Sequence, residues 1–331
     1  QSMTADRTRL VRMLPTDRSL SLGELANATQ IDEATVTVLL QQLEQDGLPL
    51  HKESDTRYRL LEPVLPIDVS DLVGQLERAS FAFARQAVVL DTVDSTSDWL
   101  SREQQAGRDI HGKACITEFQ SAGRGRRGRS WQGSPYCHLM LSIGWHFQKE
   151  AAEMTGLSLS IGVAVADCLK ELTGVPVGLK WPNDLWYRDQ KLGGILVDLN
   201  ASSGGSTFAV VGIGINLREP SFNQFDPGQP VTDLSSNTGG DLPPRTTIIA
   251  SVLGAIANVL DRFHPHQFLP DQDRFNALDV FAGRKVRTES KGKRLQGVGA
   301  GADRLGRYCV HCADGVVETI NSGDISLSLA D

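Results

Sequence analysis

The chain has 331 residues, 40% hydrophobic and 22% charged, a globular balance that excludes a largely disordered polypeptide. At roughly 150 residues per domain, two or three domains are expected. A formal net charge of -7 argues against a surface that captures nucleic acid as a whole, but not against a local basic patch. No apolar run approaches the ~18 residues of a membrane span, so no membrane association is expected. The five cysteines, at 115, 137, 168, 309 and 312, form no disulfide framework and suit a reducing cytoplasm. Cys309 and Cys312 match C-x-x-C, yet positions three apart on a strand face opposite sides, and no second pair completes a zinc site. No metal-ligating set is expected.

Residues 1–62 predict a small unit. Leu10, Val11 and Leu14 mark a first helix. Ser21 and Glu24 form a capping box for a second. Asp32 opens a third, whose Val36, Leu39, Leu40 and Leu43 recur at i, i+3, i+4 and i+7 before Gly47 stops it. Residues 48–60 have the polar centre of a β-hairpin. This order predicts a winged helix-turn-helix DNA-binding domain. Its candidate contacts are Thr35, Thr37, Gln41 and Gln42 on the third helix, and Lys52 and Arg57 on the wing. Charge opposes this reading. The unit holds seven basic and ten acidic residues, and its third helix region (32–46) holds four acids and no Lys or Arg. DNA affinity rests largely on phosphate neutralisation.

Two prolines in 62–66 predict a linker. Strands are expected at 87–93, 114–119, 139–147, 177–180, 192–200 and 208–217. Helices are expected at 96–105, 157–172 and 246–262. The irregular alternation predicts a mixed or antiparallel sheet with helices on a face. Residues 218–246, rich in Pro, Gly, Asn and Asp, predict a long functional loop. From 279 onward, short strands separated by glycine suit a small β-barrel. The expected organisation is therefore α+β, with domains at 1–62, 63–278 and 279–331.

The densest chemical signal is the run Gly-Arg-Gly-Arg-Arg-Gly-Arg at 123–129. It fits a dinucleotide fingerprint only literally, because no helix opens at its glycines to hold a pyrophosphate. Glycines that let backbone approach a ligand, with fixed-charge arginine forks, make a cationic loop for phosphate or carboxylate. A second segment, Lys-Trp-Pro-Asn-Asp-Leu at 180–185, precedes Lys191. Its Trp181, before Pro182, is expected to be extended. A third, at 94–98, is a strand-to-helix turn whose Ser95 and Asp98 form a capping box. A fourth, Gly-Ile-Gly-Ile-Asn at 212–216, is a strand with one glycine face, leaving room for a ligand or another chain.

Together with Glu118, Phe119 and Gln120, these segments resemble the biotin–protein ligases. With the N-terminal winged helix they resemble the bifunctional bacterial form, both ligase and biotin operon repressor. Lipoate ligases share the central fold but lack the arginine loop. The resemblance implies a class II synthetase-like central domain and an SH3-like C-terminal domain. It implies formation of biotinyl-5′-AMP from biotin and ATP with Mg²⁺, then transfer to a lysine of the biotin carboxyl carrier protein of acetyl-CoA carboxylase. Ser95, Thr96 and Gln120 would hold the ureido head, with Ser97 among the residues that bind biotin or its adenylate. Arg124, Gly125 and Arg126 would close over biotin and phosphate, with Gly123, Arg127 and Trp131 also binding biotin or its adenylate. Asn183, Asp184, Lys191, Gly194 and Asn216 would complete the site, with Lys191, Arg126 and Asp184 catalytic. An adenine-covering loop would fall at 218–233, offering Phe222 and Phe225. The adenylate-bound form would be a homodimer on operator DNA, joined through a strand edge near 212–216. A ligase whose winged helix no longer binds DNA is the competing reading.

Overall fold

The computed structural model describes residues 3–220, 228–263, 268–290, 293–321 and 326–331. The expected aromatics Phe222 and Phe225 lie outside these residues.

The chain begins with α1 (Met3–Met13), β1 (Leu20–Ser21), α2 (Leu22–Thr29), α3 (Glu33–Gln45), β2 (Leu50–Ser54) and β3 (Arg57–Leu60). The Ser21–Glu24 capping box forms, and Gln30 at φ 58° ends α2. Asp32 caps α3 by accepting from the Thr35 amide. Burial of Val36, Leu39, Leu40 and Leu43 against Leu10, Val11 and Leu25 closes a small core. The three strands form an antiparallel sheet in the order β1-β3-β2.

Next come α4 (Val69–Arg78), β4 (Val88–Val93), α5 (Thr96–Gln105), β5 (Ala114–Gln120), β6 (Gly123–Arg124), β7 (Ser130–Trp131) and β8 (Leu139–Phe147). They are followed by α6 (Leu157–Thr173), β9 (Gly178–Lys180), β10 (Asp184–Tyr187), β11 (Gln190–Ser202) and β12 (Ser206–Ile215). Then follow α7 (Leu234–Asn237), α8 (Arg245–Arg262) and α9 (Leu269–Leu278). A seven-stranded sheet runs β4-β5-β8-β12-β11-β10-β9. β4 and β5 are parallel and the other neighbours antiparallel, so the sheet is mixed as expected. α6 and α8 pack together beneath it. Residues Ala151–Thr173 are long and apolar enough to cross a membrane by composition. Here Leu157, Ile161, Val165 and Leu169 are buried in the shared core, which accounts for that apolar character.

One expectation fails. β12 lies between β8 and β11 and pairs with both along its length, so 212–216 offers no free edge to a second chain. Glycine on a strand signals close approach, and here the approach is from within the chain.

The C-terminal strands β13 (Lys285–Ser290), β14 (Lys293–Ala302), β15 (Tyr308–His311), β16 (Val317–Ile320) and β17 (Ser326–Leu329) form an antiparallel sheet ordered β16-β15-β14-β13-β17. Among the described residues β16 and β17 are not paired, so the sheet is open where a closed barrel was expected. It is welded to the central sheet. Trp181 Nε1 donates to Gly306 O at 2.9 Å, and the Val280 amide donates to Leu179 O on β9 at 3.0 Å.

The N-terminal unit is equally fixed. Arg7, almost fully buried, pairs with Asp91 on β4 at 2.9 Å and with Asp46 at 2.7 Å. Thr8 and Tyr136 both donate to Asp91, and Tyr136 is buried within the N-terminal core. The linker is clamped from both sides. Arg245 donates to Leu65 O at 2.9 Å and to Glu118 at 2.7 Å, while Arg12 donates to Ile67 O at 3.2 Å. Burial pushes the Glu118 carboxyl up from the usual range, with Arg245 opposing it.

Replacing Arg7 by Met should destabilise the protein by about 3 kcal/mol, because it leaves a buried carboxylate without its cation. The low end of the usual range applies, since Thr8 and Tyr136 still donate to Asp91. Urea denaturation of the Arg7→Met variant checks this.

Candidate active site

A cavity of about 860 Å³ opens on the central sheet, lined from β5 across to β9 and by the 124–132 and 229–236 segments. Its two ends differ in chemistry.

At one end, Ser95 caps α5, its Oγ accepting from the Asp98 amide at 3.3 Å. The Thr96 amide donates to Gln120 Oε1 at 2.9 Å. Thr96 Oγ1 and Ser97 Oγ each share a hydrogen bond with Ser142 Oγ, at 2.6 and 2.8 Å. Ser95, Thr96, Ser97 and Ser142 are all buried. Hydroxyls with one amide suit a neutral group that both donates and accepts. Sequence reasoning missed Ser142. The available signal is a lone hydroxyl inside an otherwise apolar strand.

At the other end, Lys191 Nζ lies 3.3 Å from Asp184 Oδ1 and Lys180 Nζ lies 4.0 Å from Asp184 Oδ2. Lys180 also sits 5.0 Å over the Trp186 ring. Burial pulls the Lys180 ammonium down, against the pull of Asp184. Arg126, half-buried, is pulled down the same way, though a guanidinium keeps its charge. Arg126, Arg127 and Arg129 also line the cavity. Three carboxylates line the cavity, Asp184, Glu219 and Asp233, against two lysines and four arginines, which leaves a positive excess, the property of an anion site. From β8 to β11 is two strand spacings, and from β5 three, so the ends lie roughly 10–14 Å apart.

The arginine run forms the β6–β7 ribbon, with Arg127 at φ 59° and Gly128 at φ 72° in its turn. Arg126 donates to Asn183 Oδ1 at 3.4 Å, and Asn183 Nδ2 to Ile195 O at 2.5 Å, so Asn183 joins ribbon and sheet. Gly125 and Gly194 line the cavity. Asn216 does too, with its amide donating to Thr232 O at 3.1 Å. The Trp181–Pro182 peptide is cis and lies in a turn, not in the extended chain expected.

Some expected residues have contacts that the sequence does not show. Arg124 lines the cavity, and its side chain pairs with Asp98 and Asp198, at 2.7 and 3.1 Å. Gly123 lines a shallow pocket on the ribbon's other side, and a Cβ there would meet Trp131 O at 2.6 Å. The glycine face of β12 is filled by the chain itself. A Cβ on Gly214 would come within 1.5 Å of Trp131 Nε1, and one on Gly212 within 2.6 Å of Ser97 Oγ. Burial pushes the Cys115 and Cys137 thiols up to about 12, which keeps them protonated and unreactive at neutral pH.

The candidate DNA contacts are partly engaged. Thr35 Oγ1 donates to Asp32 at 2.7 Å and Thr37 Oγ1 to Glu33 O at 2.8 Å. Lys52 pairs with Asp55 at 3.1 Å, and Arg57 lies 3.6 Å from Glu24 and donates to Ser19 O. Gln41 is exposed and Gln42 half-buried. Asp32 caps a helix and Asp46 pairs with Arg7, so two of the four acids have structural roles.

A family model described as the biotin/lipoate A/B protein ligase family matches residues 89–216. The chain is 31% identical over 323 residues to the bifunctional ligase/repressor BirA of Escherichia coli, covering 98% of this chain and 97% of that protein. It is 32% identical to the biotin–[acetyl-CoA-carboxylase] ligase of Mycobacterium tuberculosis, covering 78% of this chain and 95% of that one. The biotin protein ligase of Aquifex aeolicus, solved in complex with biotin and ATP, superposes with a TM-score of 0.63 at 27% identity. That match covers 74% of this chain and 99% of the Aquifex chain. The fold is that of a protein-modifying acyl ligase. Within that class, the chain belongs to the biotin–protein ligase family.

Because a Cβ on Gly214 and the Trp131 indole would occupy the same space, Gly214→Ala should drive Trp131 out of the cavity. A red-shifted tryptophan emission relative to wild type checks this, with Trp131→Phe identifying the responsible ring.

Proposed function

We propose that the protein forms biotinyl-5′-AMP from biotin and ATP and transfers biotin to a lysine of the biotin carboxyl carrier protein of acetyl-CoA carboxylase. One observation carries this reading. A single cavity joins a neutral hydroxyl–amide end to a cationic end, about the length of a ring with a carboxylate tail. The ureido head of biotin suits Thr96, Ser97, Gln120 and Ser142. Its tail then reaches Lys191.

In the first step a biotin carboxylate oxygen bonds to the α-phosphorus of ATP, the bond to the β-phosphate oxygen breaks, and pyrophosphate leaves. Two anions must meet, so Lys180, Lys191 and Arg126 serve to bring them together and spread the developing charge. The arginine ribbon, tied to the sheet through Asn183, covers the anhydride against water. In the second step the carrier lysine nitrogen attacks the acyl carbon, AMP leaves with the bonding pair, and the amine gives up a proton. Among the described residues Asp184 is the acid paired with Lys191 and is the candidate acceptor.

Mg²⁺ has no ready-made protein cage. Among the described residues no three His, Cys, Asp or Glu side chains cluster for a metal, and Asp184 already faces two lysines. The residues do not fit a resident ion. Mg²⁺ would arrive on the nucleotide phosphates.

We further propose a biotinyl-AMP-dependent repressor of biotin synthesis genes, acting as a homodimer through a winged helix at 1–62. Support comes from the near full-length similarity to a protein named ligase/repressor. It also comes from α3, where the stripe Ala34, Val38, Gln41 and Gln45 is exposed and uncharged, with Glu33 and Glu44 exposed beside it. The ligase-only reading is favoured by a different observation, the pairing of Lys52 and Arg57 with the wing's own neighbourhood of acids. Five free cysteines suit a reducing cytoplasm under either reading.

Asp184→Asn should slow transfer from preformed biotinyl-adenylate to the carrier by about a hundredfold. Single-turnover transfer checks it, and an undiminished rate removes Asp184 from the proton's path. For DNA, anisotropy of a labelled fragment upstream of the biotin-synthesis genes should show specific binding that tightens with biotin plus MgATP. Adenylate formed in the same tubes without specific binding supports the ligase-only reading.

A further inference from the structure

Glu219 belongs to neither end of the cavity, yet it is bonded toward both walls. Its Oε1 accepts from Ser134 Oγ at 3.0 Å, and its Oε2 from His138 Nε2 at 2.5 Å. The donor on His138 is fixed by a second contact. His138 is fully buried, and its Nδ1 accepts from the Leu217 amide at 3.1 Å, so the ring proton is on Nε2. The backbone of Glu219 is held as well, its amide donating to Asp233 Oδ2 at 2.7 Å. The other oxygen of Asp233 caps α7 at the Ser236 amide.

These bonds connect two separated parts of the site. Ser134 follows Trp131 by three residues, in the segment leaving the arginine ribbon. Its neighbour Gly133 leaves no room for a Cβ, which would meet His138 Cδ2 at 2.7 Å. On the other side, Thr232 precedes Asp233 and donates its amide to Lys191 O at 2.9 Å, while the Lys191 amide donates to Pro230 O at 2.9 Å. The segment ending at Asp233 therefore brackets the Lys191 backbone. A carboxylate is the one side chain that accepts from two donors with no hydrogen of its own to misplace.

We propose that Glu219 is a positioning residue that holds the stem of the arginine ribbon in register with the backbone around Lys191, acting through Ser134, His138 and Asp233. It sets the distance between the group that covers the phosphate and the lysine that meets it. The inference rests on the adenylate-forming reading above. It concerns the cationic end and leaves the hydroxyl end at Thr96 and Gln120 untouched.

The test uses full-length protein and follows pyrophosphate release with biotin and MgATP, together with dissociation of preformed biotinyl-5′-adenylate. Glu219→Gln keeps the shape but turns one acceptor into a donor. It should raise the KM for ATP and the adenylate dissociation rate about tenfold each, with the KM for biotin within about twofold. Ser134→Ala should move the same two quantities less, and adding it to Glu219→Gln should change little further. Wild-type values for ATP and adenylate in Glu219→Gln would overturn the proposal. Equal rises in both KM values with a lowered Tm would also overturn it, by showing a general structural role. Should Glu219→Gln fail to fold, the ATP-against-biotin split in Ser134→Ala decides alone. Wild type that releases no pyrophosphate overturns the ligase reading, and this inference with it.

Discussion

The site depends on an unbalanced charge. Lys180, Lys191, Arg126 and their neighbours crowd around Asp184, and several are partly withdrawn from water. Such a cluster is unfavourable until an anion enters, and the scaffold exists to hold it in place meanwhile. Adjacent antiparallel strands fix the lysines relative to Asp184, since Asp184 faces Lys180 in one register and Gly194 in the other. Asn183 holds Arg126 at the sheet. The opposite end carries no formal charge and is closed by mutual hydroxyl bonds. Discrimination and charge stabilisation are thus separated along one cavity.

What is legible in the sequence is what is local. The Ser21–Glu24 box, the Asp32 cap, the i+4 row of α6 and the arginine run each need only a few consecutive residues to be recognised. Contacts between distant segments are not legible. Arg124 reads as a ligand-facing fork until Asp198, 74 residues on, is seen to take it. The glycines of β12 announce close approach but not by what, and only the fold shows Trp131 and Ser97 there. The same strand looks available as an edge because strand order is not written in any one strand. Ser142 escapes because a single hydroxyl in an apolar strand has no motif.

The charge argument about the N-terminal unit also changes once its partners are known. Counted along the chain, α3 is acidic. In the fold, Asp32 is consumed by its own helix and Asp46 by Arg7, which leaves Glu33 and Glu44 exposed beside an uncharged stripe. The wing changes in the opposite sense, because Lys52 and Arg57 meet acids nearby. Net charge of a segment is a poor proxy for the potential over one of its faces.

Tyr136 lies between the site and this unit. It belongs to the central part of the chain, shortly after Trp131, and its ring completes the interior of residues 1–62. The small unit therefore has no finished interior of its own. Severed at residue 62, it would carry a socket in place of an aromatic plug, and the remainder would present that plug to water. The boundary between the two units is one of sequence and not of cohesion, so rotation of one against the other means first drawing Tyr136 from its socket.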